Sequence, residues 1–157
     1  MKISTDLIRK LRKETGAPVM RVKKVLEMFG DLPAQAGEKK AKELLRNEGF
    51  EKAAKRSMRA TSQGLLETYV HHSGKVASVV ELLCETDFVA RNEIFKELAH
   101  NLALQAASQG VKDAKELENQ EFIKDPSQKV SDLVKDVIAK TGENIRIGRI
   151  WRIVLGE

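Results

Sequence analysis

Cysteine is almost absent from this 157-residue sequence, with Cys84 as its single example. One cysteine excludes an internal disulfide and a metal cluster built on several cysteines. Because Cys84 ends an apolar segment, we expect a buried thiol of low reactivity. Aromatic residues are also scarce, at 4% of the chain, so we expect no platform for stacking nucleic-acid bases.

Long apolar segments and catalytic motifs are lacking as well. No apolar run approaches the roughly 20 residues of a membrane-spanning helix, and no signal-peptide region opens the sequence. There is no glycine-rich phosphate loop, no zinc-ligand spacing and no nucleophile paired with a base. We therefore expect a cytoplasmic protein that contacts no membrane, is not an enzyme and carries no cofactor or metal.

The composition is otherwise typical of a folded chain, with 41% hydrophobic and 32% charged residues. Its length suits one ordinary domain or two small ones. Lysine and arginine outnumber aspartate and glutamate by 28 to 23, which gives a net charge of +5. This balance suits either nucleic acid or an acidic protein as the partner.

The first 50 residues show three short helical patterns. The predicted helices are 5–15, 19–28 and 38–47. Gly16 and Gly49 are predicted to end the first and third helices, and 32–37 is predicted to be a surface loop. Three such helices bury little surface, so we interpret 1–50 as a recognition bundle rather than a catalytic domain.

A basic segment at 51–61 follows and is interpreted as a linker. Its cationic side chains could share one helical face, and they are Lys52, Lys55, Arg56 and Arg59. We favour a solvated face or contact with an acidic partner, and expect no direct nucleic-acid binding. An RNA- or ribosome-associated adaptor without exchange activity stays open as the alternative function.

Residues 62–157 combine strand and helix patterns. The predicted strands are 63–71, 76–84 and 145–155, and the predicted helices are 92–108, 114–118 and 130–141. A short loop containing Gly74 predicts an antiparallel hairpin between the first two strands. The expected fold class is α+β, with the helical bundle followed by a small antiparallel sheet packed with helices.

The junction after the second strand holds the residues of greatest functional interest. Thr86 and Asp87 can cap a helix there, and Phe88 follows them. Phe88 lies seven residues before Phe95, so one continuous helix would bury both rings on the same side. In the other interpretation Phe88 projects outward as an anchor for a partner.

The segment Glu-Thr-Asp-Phe-Val-Ala-Arg-Asn at 85–92 resembles the signature of the elongation factor Ts family. The segment Ala-Lys-Thr-Gly-Glu-Asn-Ile at 139–145 is similar to a second family motif. A partial match covers 15–24, where Arg21 replaces an acidic residue of the family pattern. The family consists of guanine nucleotide exchange factors for elongation factor Tu.

This resemblance implies a function and a set of contacts. The chain would bind elongation factor Tu, both GDP-bound and nucleotide-free, and promote GDP release in translation elongation. The residues expected to disturb the Mg²⁺ site of the partner are Thr86, Asp87, Phe88 and Val89. In the bundle, which would be ubiquitin-associated-like, the expected contacts are Val19, Met20, Lys23 and Lys24.

Two further expectations depend on the resemblance. A short-form relative forms a dimer through its final strand, linked by a cysteine, and Trp151 occupies that place here. Self-association through this strand, by aromatic contact instead of a disulfide, therefore stays open. Departures from the family pattern also leave open a relative that binds the partner without exchange activity.

Overall fold

The computed structural model describes residues 3–157, so the first two residues of the predicted bundle lie outside the described part. The helices in this range are Thr5–Thr15 (α1), Val19–Met28 (α2), Ala34–Ala54 (α3), Asp87–Ala90 (α4), Glu93–Ser108 (α5), Ala114–Asn119 (α6) and Val130–Thr141 (α7). The strands are Gln63–Val70 (β1), Val76–Cys84 (β2), Glu121–Phe122 (β3), Asp125–Lys129 (β4) and Ile145–Val154 (β5). The predicted α+β class is confirmed.

Helices α1, α2 and α3 form the expected N-terminal bundle. The side chains at its centre are Leu11, Val22, Val25, Leu26, Ala41 and Leu45. The hydroxyl of Ser4 caps α1 by accepting from Leu7 N at 3.1 Å. Gly16 ends this helix with φ 71°, a left-handed conformation that favours glycine.

Helix α3 is longer than predicted. The expected end at Gly49 is wrong and the expected loop at 32–37 is too long, because the helix spans Ala34–Ala54 and only residues 32 and 33 of that loop precede it. Gly49 lies inside it, where an added Cβ would be 3.0 Å from the Cβ of Ala139. The glycine therefore permits close packing of α3 on α7 and does not end a helix.

An ion pair also joins the bundle to the rest of the chain. Arg46 on α3 donates to both carboxylate oxygens of Asp136 on α7, at 3.0 and 2.7 Å, and to Gln128 at 2.8 Å. Such a two-point arginine–carboxylate contact fixes orientation as well as distance. Since α3 crosses residue 50 without a break, the division of the chain at 50 and 61 stays a prediction.

A three-stranded antiparallel sheet in the order β1-β2-β5 forms the centre of the second part. Leu82 on the middle strand pairs with Leu65 on one side and Ile147 on the other. The inward-facing residues of β2 pack against α5, whose Phe95 is fully buried. The predicted hairpin is confirmed.

A small hairpin of β3 and β4 lies between α6 and α7, where no strand was predicted. The side chain of Gln105 on α5 is fully buried and binds this hairpin. Its side-chain amide donates to the Glu121 carbonyl at 3.0 Å and accepts from Ile123 N at 2.9 Å.

Within residues 3–157, no helix has the length and apolar character that crossing a bilayer requires.

Candidate functional site

The chain turns sharply where β2 ends at Cys84. Thr86 has extended backbone angles, φ −126° and ψ 157°, and its hydroxyl accepts from Val89 N at 3.5 Å. This long hydrogen bond caps the single turn of α4. After a further turn the carboxamide of Asn92 accepts from Ile94 N at 3.0 Å and caps α5.

Phe88 projects from this turn into solvent and is 82% exposed. The alternative in which it packs beside Phe95 in the protein's own core is wrong. The two residues belong to different helices, because α4 ends at Ala90 and α5 begins at Glu93. An exposed phenylalanine on a capped turn is available for contact with another molecule.

The residues around Phe88 tie the turn to the core. Val89 and Ala90 are partly buried and pack against the core beneath the sheet. The carboxylate of Asp87 is half exposed and lies 3.1 Å from the guanidinium of Arg91. The apolar neighbours therefore hold the turn, while Phe88 and Asp87 point toward solvent.

A second contact to the turn comes from the residues before β5. Glu143 accepts two hydrogen bonds from Thr86, one from its backbone N at 3.0 Å and one from its hydroxyl at 2.6 Å. In the other direction, Glu85 accepts from Asn144 N at 2.6 Å. No local pattern predicted these pairs, which join positions 57 and 59 residues apart. The only signal was the family-like motif that contains Glu143 and Asn144.

Cys84 lies directly beneath the turn and is fully buried, as predicted. Its Sγ is 3.1 Å from the carbonyl oxygen of Thr86. Burial, reinforced by the charge of Glu143, raises the pKa of the Cys84 thiol. A thiol with a raised pKa is a poor nucleophile, so the sulfur serves packing.

The predicted bundle contacts share one exposed side of α2. Val19, Met20, Lys23 and Lys24 are all exposed, and the opposite side of the helix is buried in the bundle core. We call these four residues the α2 surface. Helix α2 packs on α1 and α3, whereas α4 packs on β1, β2 and α5, so the two candidate surfaces lie on separate parts of the fold.

Arg21, the charge reversal next to this surface, has an internal partner. Its guanidinium makes a two-point contact with the carboxylate of Glu48 on α3, with Nε donating to Oε2 at 2.9 Å. The hydrogen bonds with Arg21 lower the pKa of Glu48. The arginine therefore supports packing between α2 and α3.

Histidine and carboxylate side chains do not assemble into a metal centre. Within residues 3–157, no three His, Cys, Asp or Glu side chains are grouped so that they could hold a metal ion. His71 contacts the hydroxyl of Ser73 at 2.8 Å within the β1–β2 turn. His100 is exposed on α5 and lies 3.5 Å from Glu67.

Comparisons with known proteins agree with the family-like motifs. A family model described as Elongation factor TS matches residues 85–156, from the turn that carries Phe88 through β5. Elongation factor Ts of Thermotoga neapolitana is 39% identical over 201 aligned positions, which cover the whole chain and 99% of that protein. The chain belongs to the elongation factor Ts family.

Other relatives show how much of the family architecture the chain spans. Elongation factor Ts of Thermotoga petrophila is 38% identical, and the alignment covers the whole chain and 98% of that protein. Elongation factor Ts of Clostridium botulinum is 44% identical over 152 positions, covering 96% of the chain but 48% of that protein. The chain therefore spans nearly all of the Thermotoga proteins and about half of the Clostridium protein.

Proposed function

We propose that this member of the elongation factor Ts family is a guanine nucleotide exchange factor that binds elongation factor Tu and promotes release of GDP. Family membership supports the choice of partner. The observation that carries the proposal is the 82% exposure of Phe88 on a turn fixed to the core. A factor of this kind acts by binding and performs no covalent reaction of its own.

Exchange follows from linkage between two binding events. A protein that binds the nucleotide-free partner more tightly than the GDP-bound one must weaken GDP binding by the same factor. In GTPases, Mg²⁺ bridges phosphate oxygens and contributes much of the grip on the nucleotide. Any contact that moves the Mg²⁺ ligands therefore promotes release.

Four residues perform this step in the proposal. The ring of Phe88 enters an apolar crevice between helices of the partner, and Asp87 approaches the surroundings of the Mg²⁺. Thr86 caps the turn, and Val89 anchors it to the core, so the ring enters from a fixed direction. A buried aromatic anchor contributes about 2 kcal/mol or more to binding, which is enough to change an exchange rate more than tenfold.

The α2 surface supplies a second contact in the proposal. Val19 and Met20 offer exposed aliphatic surface, while Lys23 and Lys24 place two ammonium groups beside it. This combination suits a partly apolar, acidic area on the partner. It would add affinity without touching the nucleotide.

The decisive experiment is the variant Phe88→Ala. Stimulated release of labelled GDP from elongation factor Tu should fall at least about tenfold, because the anchor is used mainly in the exchange intermediate. Met58→Ala is the matched control, since Met58 is 94% exposed in the segment after α3 and its loss should change nothing. Unchanged GDP release with Phe88→Ala would refute the role of the ring.

We also propose that two copies of the chain associate through β5. This strand lies at the edge of the sheet, so one side of its backbone is open to pairing. Trp151 and Ile153 are exposed along it, and Leu155 is exposed directly after its end. Trp151→Ala should shift a dimer toward monomer in sedimentation experiments, and a wild-type protein that stays monomeric at high concentration would disprove the association.

A further inference from the structure

We propose that Glu143 is a positioning residue for exchange, because it holds the turn that presents Phe88. This inference rests on the proposed function of Phe88 and adds a residue outside the turn itself. Glu143 lies between α7 and β5, and its carboxylate reaches across to Thr86. Phe88 follows two residues after Thr86.

The contact extends the sheet beyond its last regular pair. Cys84 on β2 pairs with Ile145 on β5, and no backbone pairing continues past it. Instead, each chain segment sends a carboxylate to the backbone N–H of the other, Glu143 to Thr86 and Glu85 to Asn144. Two side-chain hydrogen bonds thus take the place of further backbone pairs and hold the turn against the start of β5.

The hydroxyl of Thr86 explains why a carboxylate is needed. A hydroxyl group has one hydrogen, and here it points to Glu143 Oε1 at 2.6 Å. The oxygen lone pairs are then free to accept from Val89 N, which caps α4. An ionised carboxylate accepts both Thr86 bonds and offers no competing donor. Glu143 therefore orients the cap as well as holding the backbone.

The position of Glu143 is itself fixed on both sides. Gly142 ends α7 with φ 76°, and Asn144 is buried. The carboxamide of Asn144 donates to the carbonyls of Ser57 at 3.2 Å and Arg59 at 2.8 Å. A carboxylate between two such anchors can set the direction of the turn.

Glu143 acts from within the molecule and not as a contact for the partner. Both of its carboxylate oxygens are engaged by Thr86, and the residue is partly buried. Substitution of Glu143 should leave the side chains of the α2 surface and the ring of Phe88 unaltered. What changes is the direction and order of the turn.

The test is Glu143→Gln, which keeps the length of the side chain but turns one acceptor into a donor. At saturating factor, stimulated GDP release should fall about fivefold, since a hydrogen bond to a charged group is lost. The concentration of factor giving half the maximal rate should change less than about twofold, because the α2 surface is intact. Glu116→Gln is the matched control, since Glu116 also accepts from a backbone N–H, that of Lys112 at 2.8 Å, far along the chain.

A double-mutant cycle with Phe88→Ala separates positioning from other roles. If Glu143 acts through Phe88, adding Glu143→Gln to Phe88→Ala should lower exchange little further. Multiplication of the two losses, or a fully active Glu143→Gln beside an impaired Phe88→Ala, would overturn the positioning role alone. Full activity of Phe88→Ala would overturn the role of the ring and the positioning role together, whereas a wild-type protein that does not stimulate GDP release would overturn the proposed function itself.

Amide hydrogen exchange in the protein without its partner gives an independent readout. Glu143→Gln should speed exchange of the Thr86 and Val89 amides at least about tenfold, while amides in the middle of α5 stay protected. Equal protection of Thr86 and Val89 in both proteins would overturn the inference. If Glu143→Gln does not fold, Thr86→Val replaces the hydroxyl with a methyl group. It removes the hydroxyl bond to Glu143 and the cap on Val89 N, so exchange of the Val89 amide should become faster, while the Thr86 amide keeps its own bond to Glu143.

Discussion

The turn that carries Phe88 and the α2 surface present apolar groups to solvent in different ways. The turn concentrates its contact in one ring, and its backbone is held by the cap of α4 and by Glu143. The α2 surface spreads its contact over two aliphatic and two cationic side chains on a regular helix above a small core. A concentrated anchor suits a step that changes the partner, whereas a spread surface suits affinity.

The largest difference between the two regions should appear in stability. Leu45 is almost fully buried in the bundle core, so Leu45→Ala should lower the free energy of unfolding by about 3 kcal/mol. Phe88→Ala should change it by less than about 0.5 kcal/mol, because the ring is exposed. Chemical denaturation followed by circular dichroism measures both. Comparable losses in the two variants would mean that Phe88 supports the fold.

The next prediction separates rate from affinity. Lys23→Glu with Lys24→Glu should raise the half-saturating concentration of factor about tenfold with an unchanged maximal rate, and the effect should shrink in high salt. Exchange titrations with elongation factor Tu at two salt concentrations measure it. Lys39→Glu with Lys40→Glu, the same charge change on exposed positions of α3, serves as the control. A fall in maximal rate alone would assign the α2 surface to the exchange step.

A smaller effect on stability is expected at the contact between the N-terminal bundle and α7. Arg46→Ala removes the two-point contact to Asp136 and should destabilise the protein by about 1 kcal/mol, since both side chains are partly exposed. Protease cleavage between 55 and 61 should also become faster, because the bundle is held less firmly. Arg9→Ala breaks only an exposed pair with Asp6 and should do neither. Identical behaviour of the two variants would show that Arg46 does not hold the bundle.

The smallest effect concerns a carboxyl group that belongs to neither surface. Burial raises the pKa of Glu118 on α6, partly offset by Lys135. Because the pKa of Glu118 is higher in the folded protein than in the unfolded chain, folding favours the protonated carboxyl group. The stability that this group contributes is fully present below the pKa of the unfolded chain and is lost as pH rises through the folded pKa, where the buried carboxyl becomes charged. Glu118→Gln should therefore raise the melting temperature slightly at about pH 7, and the gain should vanish below about pH 4.

Exchange activity gives the control for this variant. Glu118→Gln should stimulate GDP release as the wild type does, so that it changes stability without changing either surface. A lower melting temperature at neutral pH would show that the charge of Glu118 stabilises the fold through Lys135.

Much of the fold was predictable because its signals are local. The bounds of α2 and β2 match the predicted ones. The exposed side of α2 follows from helical periodicity, and the left-handed glycines after α1 and α7 mark real helix ends. Where neighbours along the chain decide the structure, the residue pattern was sufficient.

The errors arose where distant residues decide. Gly49 looked like a helix end, but its lack of a side chain serves packing on Ala139, 90 residues away along the chain. The β3–β4 hairpin has polar residues in Asp125–Lys129 and lacks the alternation of a typical strand. The link from Glu143 to Thr86 has no local signature, although the motif that contains Glu143 marked the segment.

The strand that leads to Phe88 is the middle one of three, with β1 and β5 on its two sides. In the proposed mechanism the ring of Phe88 pushes apart elements of the partner, so an equal and opposite load would return along β2. Hydrogen bonds to both neighbouring strands share that load, and they are sheared together instead of being opened one at a time. Mechanical stiffness at the base of the turn thus comes from the order of the strands, since a ring carried on an edge strand would be backed by one neighbouring strand instead of two.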